Sequence, residues 1–175
     1  MPKFLILRFS SIGDIVLTTP VVRCLKQQVP GAEIHFLTRR SFEPVLQHNP
    51  YIDRLWLFDS SPTELSRELK SEAFDAVIDL HHNIKSLGLK WSLNRPSFSF
   101  NKLNIEKWLR VNLRIDRLPD VHIVDRYLKT VSTWGVVNDG KGLDYFISDS
   151  DRKILDRLPE SHRNGFVVVA IGAQH

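Results

Sequence analysis

Apolar runs alternate with amphipathic stripes along most of this chain. Lys3 to Phe9 reads KFLILRF, a nearly continuous apolar run of the kind a parallel strand needs when both its faces are covered. After the break Ser10-Ser11-Ile12-Gly13, Asp14 opens a stretch in which Ile15, Val16, Leu17, Val21, Val22 and Leu25 recur at helical spacing until Pro30-Gly31. Pro20 lies inside that stripe and predicts a kink or a restart of the helix. The alternation continues with strands at Glu33–Thr38, Arg54–Phe58, Ala76–Leu80 and, more weakly, Ser97–Phe100. Between them the pattern predicts helices at Phe42–His48, Thr63–Glu72 and Ser86–Leu93. Strand and helix alternating at this pace imply right-handed βαβ units, hence an α/β fold: a Rossmann-like open parallel sheet flanked by helices.

From Ile105 the pattern turns helical, with helices predicted at Ile105–Leu113 and at Val121–Trp134, the latter stopped by Gly135. A strand at Leu143–Ile147 and a helix at Asp149–Leu158, with Asp149 as N-cap, follow. Phe166 to Ile171 reads FVVVAI, as apolar as the first strand, and four residues later the sequence ends in what reads as a βα turn. A buried parallel strand ordinarily feeds a covering helix, so this ending predicts a second α/β domain that the 175-residue sequence cuts short.

Composition narrows the setting. With 42% hydrophobic and 25% charged residues the chain is ordinary globular material, which excludes disordered and collagen-like classes. Cys24 is the single cysteine, so an intramolecular disulfide or a multi-cysteine zinc cage cannot form, and a reducing compartment such as the cytoplasm fits. No apolar run approaches the roughly 18–20 residues of a spanning helix, and the start lacks a signal-peptide layout. The formal charge of +4 suits an anionic substrate, a lipid surface or nucleic acid, and selects none of them.

Two strand-to-helix turns carry candidate chemistry. In Arg8-Phe9-Ser10-Ser11-Ile12-Gly13-Asp14, Gly13 permits close backbone approach, Ser10 and Ser11 offer hydroxyls, and the following helix offers free N–H groups to an anion. Asp14 reads either as a carboxylate favoured by the helix dipole or as a general base at the mouth of the crevice. The turn lacks G-x-G-x-x-G and Gly-Lys-Ser/Thr, so dinucleotide and P-loop chemistry find no support. The second turn is Asp79-Leu80-His81-His82-Asn83-Ile84-Lys85-Ser86. Adjacent histidines diverge, which argues against His81 and His82 as a metal pair, while Lys85 at a helix start reads as an anion contact or as a solvated lysine.

A basic stretch follows, with Lys85, Lys90, Arg95, Lys102, Lys107, Arg110, Arg114 and Arg117 opposed only by Glu106 and Asp116 and interleaved with Trp91, Phe98, Phe100 and Trp108. It reads as a solvated face over a core stripe, or as a surface for anionic headgroups or phosphorylated ligands. No nucleic-acid-binding module is visible. Cys24 among apolar neighbours reads as core, and Asp125 and Arg126 as partners in structural hydrogen bonds or as polar groups on one helix side.

Taken together, ILRFSSIGDIVLTTPVVRCLK, DLHHNIKS, VHIVDRYL and the terminal IGAQH resemble the bacterial ADP-heptose:lipopolysaccharide heptosyltransferases, glycosyltransferase family nine. The resemblance implies a GT-B architecture, with an acceptor-binding domain over residues 1–160 and the first strand of a donor-binding domain over 161–175. It implies an inverting, metal-independent and cofactor-free transfer of a heptose or related sugar, with Asp14 as base. Ser10, Ser11, Gly13, His81, Lys85 and Ser86 would then meet substrate, and Arg8 would join them. A nucleotide-sugar donor and a lipid-linked glycan acceptor are the implied partners, at the cytoplasmic side with peripheral contact to an anionic membrane, and this stretch alone would not complete the reaction. His81-His82-Asn83 departs from the family's usual glutamine and glycine. The reading that competes with transfer is a free-standing binding module for an anionic glycolipid or sugar phosphate.

Overall fold

The computed structural model describes residues 1–101, 111–114, 121–153, 159–162 and 167. Its strands β1 (Lys3–Leu7), β2 (Glu33–Arg39), β3 (Arg54–Phe58), β4 (Ala76–Asp79) and β5 (Ser97–Ser99) form one sheet in the order β3-β2-β1-β4-β5, every pair parallel. The chain lays β2 and β3 on one side of β1 and then β4 and β5 on the other. Strand order therefore reverses at β1, the place where open α/β sheets leave a crevice at their carboxyl edge.

The apolar run of β1 is used on both faces. Phe4 and Ile6 join the core formed with Ile15, Val21, Val22, Leu25, Tyr127 and Val131, while Leu5 and Leu7 join Trp56, Phe58, Leu69, Leu89 and Leu93 on the other side. Each such side chain, fully buried, stabilises the fold by about 1.5–3 kcal/mol relative to exposure. Helices α1 (Ile12–Val16) and α2 (Thr19–Gln28) cover the first face, and α4 (Ser66–Ser71) and α5 (Ile84–Leu93) cover the second. The short α3 (Glu43–Leu46) follows β2.

Pro20 restarts the helix rather than kinking it. It occupies the first turn of α2, where a missing N–H leaves no hydrogen bond unmade. The first helix begins at Ile12, ahead of Asp14, because the Ser11 N–H and hydroxyl bind the Asp14 carboxylate three residues on. β1 ends at Leu7; the Arg8 N–H still donates to Leu37 O of β2 (3.2 Å), and the Phe9 ring packs on Phe58.

Beyond residue 120 the structure departs from the pattern. The stripe Val121–Trp134 is an α-helix only over Ile123–Leu128 and tightens to 3-10 geometry over Lys129–Trp134, ending at Gly135 with φ +74°. Leu143–Ile147 is not a strand. Asp144 instead bonds outward through its N–H to Thr19 Oγ1 (2.9 Å) and through its carboxylate to Arg23, so the segment is pinned to α2 by side chains rather than by a strand ladder. The helix at 149 is capped by Ser148, whose Oγ accepts from Asp151 N (3.0 Å), so Asp149 is its first helical residue and not its N-cap. Most of the predicted Ile105–Leu113 helix, the end of the Asp149–Leu158 helix and, apart from Val167, the Phe166–Ile171 strand lie outside the described residues, as do Lys102, Lys107, Trp108, Arg110 and Arg117.

Arg23 is the strut of this half. Its side chain is 3% exposed, Nε and NH2 grip the two Asp139 oxygens at 2.8 Å each, NH2 also reaches Gly142 O, and NH1 reaches Asp144. Arg23→Met removes all of these contacts at an expected cost of about 2 kcal/mol, less than for a fully buried pair because both aspartates can rehydrate. The Arg23 hydrogen bonds hold the Asp139 carboxyl well below its ordinary 3.8. A depressed carboxylate stabilises the fold above the unfolded value and loses that contribution as pH falls towards the folded one. The stability gap between wild type and Arg23→Met, read from urea midpoints, is therefore full near neutrality and closes below about pH 4.

Candidate active site

At the carboxyl edge of the sheet a buried guanidinium gathers the loops. Arg8 donates from Nε to Ser10 O (2.7 Å), from NH1 to Leu80 O (2.6 Å) and to Tyr127 Oη (3.1 Å), and its NH2 lies 2.5 Å from Asp14 Oδ2. One side chain thus ties the loop after β1, the end of β4 and the helix Ile123–Leu128 to one carboxylate. Asp14 keeps 41% of its side-chain surface open while Arg8 keeps 9%, so the anion faces solvent and the cation backs it. Partial burial pushes the Asp14 carboxyl up, but the Arg8 charge and the Ser11 donors outweigh it and leave the group below the usual carboxylate range. It is ionised at neutral pH and ready to accept a proton. Burial pushes the Tyr127 phenol up, which keeps its hydroxyl protonated at the other end of Arg8.

Asp14 looks into a cavity of about 500 Å³. Arg8, Asp14, His81, Arg126 and Tyr127 supply its polar wall, and Leu17, Phe100 and Ile123 its apolar one. A second cavity of about 540 Å³ opens beside it, shares Phe100 and Arg126, and adds Lys129, Asn101 and Thr130.

The second turn is built around Asp79, which is fully buried at the end of β4. Its Oδ1 accepts from the N–H groups of His81 (3.1 Å) and His82 (2.7 Å), and its Oδ2 takes the Ser86 hydroxyl (2.8 Å) and the Lys90 ammonium (2.8 Å). Asn83 caps α5 reciprocally: its side chain accepts from Ser86 N and its N–H donates to Ser86 Oγ, both at 2.9 Å.

The predicted residues separate into two groups. Asp14, His81 and Arg8 line one cavity, with Ser10, Ser11 and Gly13 in the adjoining turn; His81 is fixed there by its ring contact with Phe9, 4.7 Å between centroids. A Cβ at Gly13 would meet nothing within 4 Å, so the space over that backbone stays open. Ser86 is fully buried, its hydroxyl committed to Asp79 and Asn83, and it lines no cavity with Asp14. Lys85 is exposed on the α5 side, where Nζ approaches Ser60 O at 3.4 Å. Lys90, counted in the basic stretch, is neutralised by Asp79 and also bonded to Ser99 Oγ. Asp125 accepts from Asn138 Nδ2 and Arg126 donates to Asn101 O, while Cys24 is buried in the core.

No model of an established protein family matches the chain. Sequence comparison finds lipopolysaccharide heptosyltransferase 1 of Campylobacter coli, 28% identical over 141 residues, and lipopolysaccharide heptosyltransferase 3 of Escherichia coli strain K12, 27% identical over 142 residues. These matches cover 74% and 72% of this chain and 41% and 40% of the relatives. Its homologues are lipopolysaccharide heptosyltransferases. Among solved structures the glycosyltransferase family nine protein of Veillonella parvula superposes with a TM-score of 0.72 at 24% identity, over 93% of this chain and 50% of that one. Escherichia coli heptosyltransferase WaaC with ADP gives 0.63 at 21%, over 83% and 51%. The fold is that of the heptosyltransferases, and the chain spans about 40% of the length of the curated relatives it matches.

Within this heptosyltransferase fold, sequence reasoning left out Tyr127 and the structural roles of Asp79 and Lys90, while Arg126, read as a polar group on one helix side or a partner in structural hydrogen bonds, does both: it lines the two cavities and donates to Asn101 O. A signal for Asp79 exists: a carboxylate closing the apolar strand AVID must be paired if the strand is central. Tyr127 carries no local signal, because its partner Arg8 is 119 residues away. Among the described residues, Glu33, His35 and Glu72 also bring potential metal-ligand atoms within 4.8 Å of one another, at the opposite edge of the sheet. There the Lys3 ammonium stands 3.2 Å from Glu33 and 2.9 Å from Glu72, so the cluster already holds a cation of its own.

Proposed function

We propose that this chain is the acceptor-binding, base-bearing part of an inverting glycosyltransferase that moves a heptose or related sugar from a nucleotide-sugar donor to the lipopolysaccharide inner core. The observation that carries the reading is the half-open Asp14 carboxylate, ionised against buried Arg8, facing a cavity at the switch point of the sheet. The names of the homologues support the substrate class, and two solved neighbours were obtained with ADP and with ADP-2-deoxy-2-fluoro heptose.

In the proposed step an acceptor hydroxyl seated against Asp14 attacks the anomeric carbon of the donor. The new C–O bond forms as the bond from that carbon to the nucleoside diphosphate breaks, and the hydroxyl proton passes to Asp14. The nucleoside diphosphate leaves with the bonding electron pair. Arg8 holds the carboxylate in place through the Ser10, Leu80 and Tyr127 contacts, which limits the reorientation needed at the moment of transfer. Ser10, Ser11 and the open backbone at Gly13 would meet the acceptor or the donor phosphate, and His81 the acceptor ring.

The reading is tested by titrating a heptose-acceptor oligosaccharide onto the labelled chain. Amide shifts are expected to concentrate at Ser10–Asp14, His81 and Tyr127, and the Asp14→Asn variant should still bind. Shifts scattered elsewhere, or none at saturating ligand, would remove the acceptor role.

A further inference from the structure

Tyr127 carries a polar group that the packing of its ring does not explain. The side chain is 1% exposed and stands edge-on to Phe100 with centroids 4.8 Å apart, yet it lines the Asp14 cavity. Its Oη accepts from Arg8 NH1 at 3.1 Å, and among the described residues no other group bonds to that hydroxyl. A guanidinium only donates, so Arg8 accounts for the oxygen of the phenol and not for its proton. Burial keeps that proton on the phenol, and a buried donor is costly to leave without an acceptor.

The same guanidinium sets where the two ends of the site stand. NH2 lies 2.5 Å from Asp14 Oδ2 and NH1 holds Tyr127 Oη, so a carboxylate that accepts and a phenol that donates sit on neighbouring nitrogens of one planar group. Arg8 is itself fixed by Ser10 O and Leu80 O, which fixes the spacing of the pair. Both groups line one cavity, and Leu17, Phe100 and Ile123 give it an apolar wall.

We propose that Asp14 and Tyr127 clamp two neighbouring hydroxyls of the acceptor sugar: the attacking one gives its proton to Asp14, and the one on the adjoining carbon accepts from Tyr127. Tyr127 is then a specificity-determining residue, and the acceptor class is a sugar with a vicinal diol at the point of transfer. This rests on the transferase reading, since it is transfer that gives the site a nucleophile to orient. Tyr127 keeps its proton throughout and donates only a hydrogen bond. A single hydroxyl held by Asp14 can swing about its own C–O bond, whereas a second contact on the next carbon fixes the ring and the direction of the attacking lone pair. The apolar wall meets the C–H side of the ring and leaves register to the polar pair. A site built to hydrogen-bond a hydroxyl discriminates hardest against the ligand that lacks it, because the buried donor is then left unpaired.

The experiment is an NMR titration of the labelled 175-residue chain with the heptose-acceptor oligosaccharide and with its monodeoxy analogues, in which each hydroxyl of the accepting sugar is replaced in turn by hydrogen. With wild type, two adjacent positions are expected to matter, each removal weakening binding about tenfold. Tyr127→Phe keeps the ring on Phe100 and should bind the parent about tenfold more weakly; it should then be indifferent to one of the two removals and still respond to the other. In a transferase that carries this chain, Tyr127→Phe should lower kcat/KM and leave the acid limb of its pH profile in place, because Arg8 stays beside Asp14. Equal binding by Tyr127→Phe and wild type would overturn the clamp. So would a variant that loses the same factor for every analogue, the result expected if Tyr127 only props Arg8. The wild-type series needs no variant, and two sensitive positions that are not adjacent, or one alone, would also overturn it. No binding of the parent by wild type strikes the acceptor reading itself, whereas wild-type shifts at Ser10–Asp14 with no response to Tyr127→Phe strike only the clamp.

Discussion

Asp14→Asn in a transferase that carries this chain is expected to lower kcat by about 10²–10⁴-fold, the range that a positioned general base supplies. The change keeps the shape and the oxygen that faces Ser11 and removes the negative charge and the capacity to take a proton. Folding should barely notice: the carboxylate is 41% exposed, the retained oxygen can still accept from Ser11, and losing the charge in its contact with Arg8 costs about 1 kcal/mol or less at a site that water reaches. Turnover within about threefold of wild type would end the catalytic assignment of Asp14. The companion variant is Arg8→Gln. Burial raises the Asp14 carboxyl and the Arg8 charge lowers it, so without Arg8 the group titrates at a higher pH. Because the ionised form is the active one, the acid limb of kcat/KM should move upward in Arg8→Gln. A merely structural Arg8 would lower the plateau and leave the limb in place.

Asp79→Ala is the stability experiment with the largest expected loss. The carboxylate has no exposed surface, and its removal strands the Lys90 ammonium, the amides of His81 and His82, and the Ser86 hydroxyl. Breaking a buried ion pair on one side costs about 3–5 kcal/mol, which for a chain of this length is a fall in Tm of about 10 °C. Asp79→Asn, which still offers an oxygen to the amides, should lose about half as much. Hydrogen exchange at His81 and His82 should quicken in both variants, as the turn that presents His81 loosens. A Tm within about two degrees of wild type in Asp79→Ala would mean that water or a neighbour replaces the carboxylate.

The heptosyltransferase resemblance and the α/β architecture were both legible before any coordinates. The runs KFLILRF and AVIDL, an interruption at Pro20 and the stop at Gly135 depend on residues close together in the chain, and short-range sterics and hydrophobic period report them directly; that Pro20 restarts the helix and does not kink it is seen only in the structure. The strand expected at Leu143–Ile147 was a misreading for a physical reason: its apolar residues suit a ladder, but Asp144 is captured by Arg23 before the segment can reach a sheet edge. Ser86 shows the opposite confusion, a polar residue at a ligand-facing turn whose hydroxyl closes a helix cap instead.

By itself the sequence determined the alternation of strands and helices, the turn that bears Asp14, and a basic stretch opposed only by Glu106 and Asp116. Only the tertiary structure decided which of these groups meet. Arg8 reaches Leu80 across 72 positions and Tyr127 across 119, and Arg23 reaches Asp139 across 116. Such contacts depend on how the sheet orders its strands and on which helix face turns inward. Burial then sets the chemistry: the same aspartate type is an open, ionised group at 14 and a sealed structural anion at 79, because Asp14 stands at the rim of the crevice and Asp79 ends a strand covered on both sides.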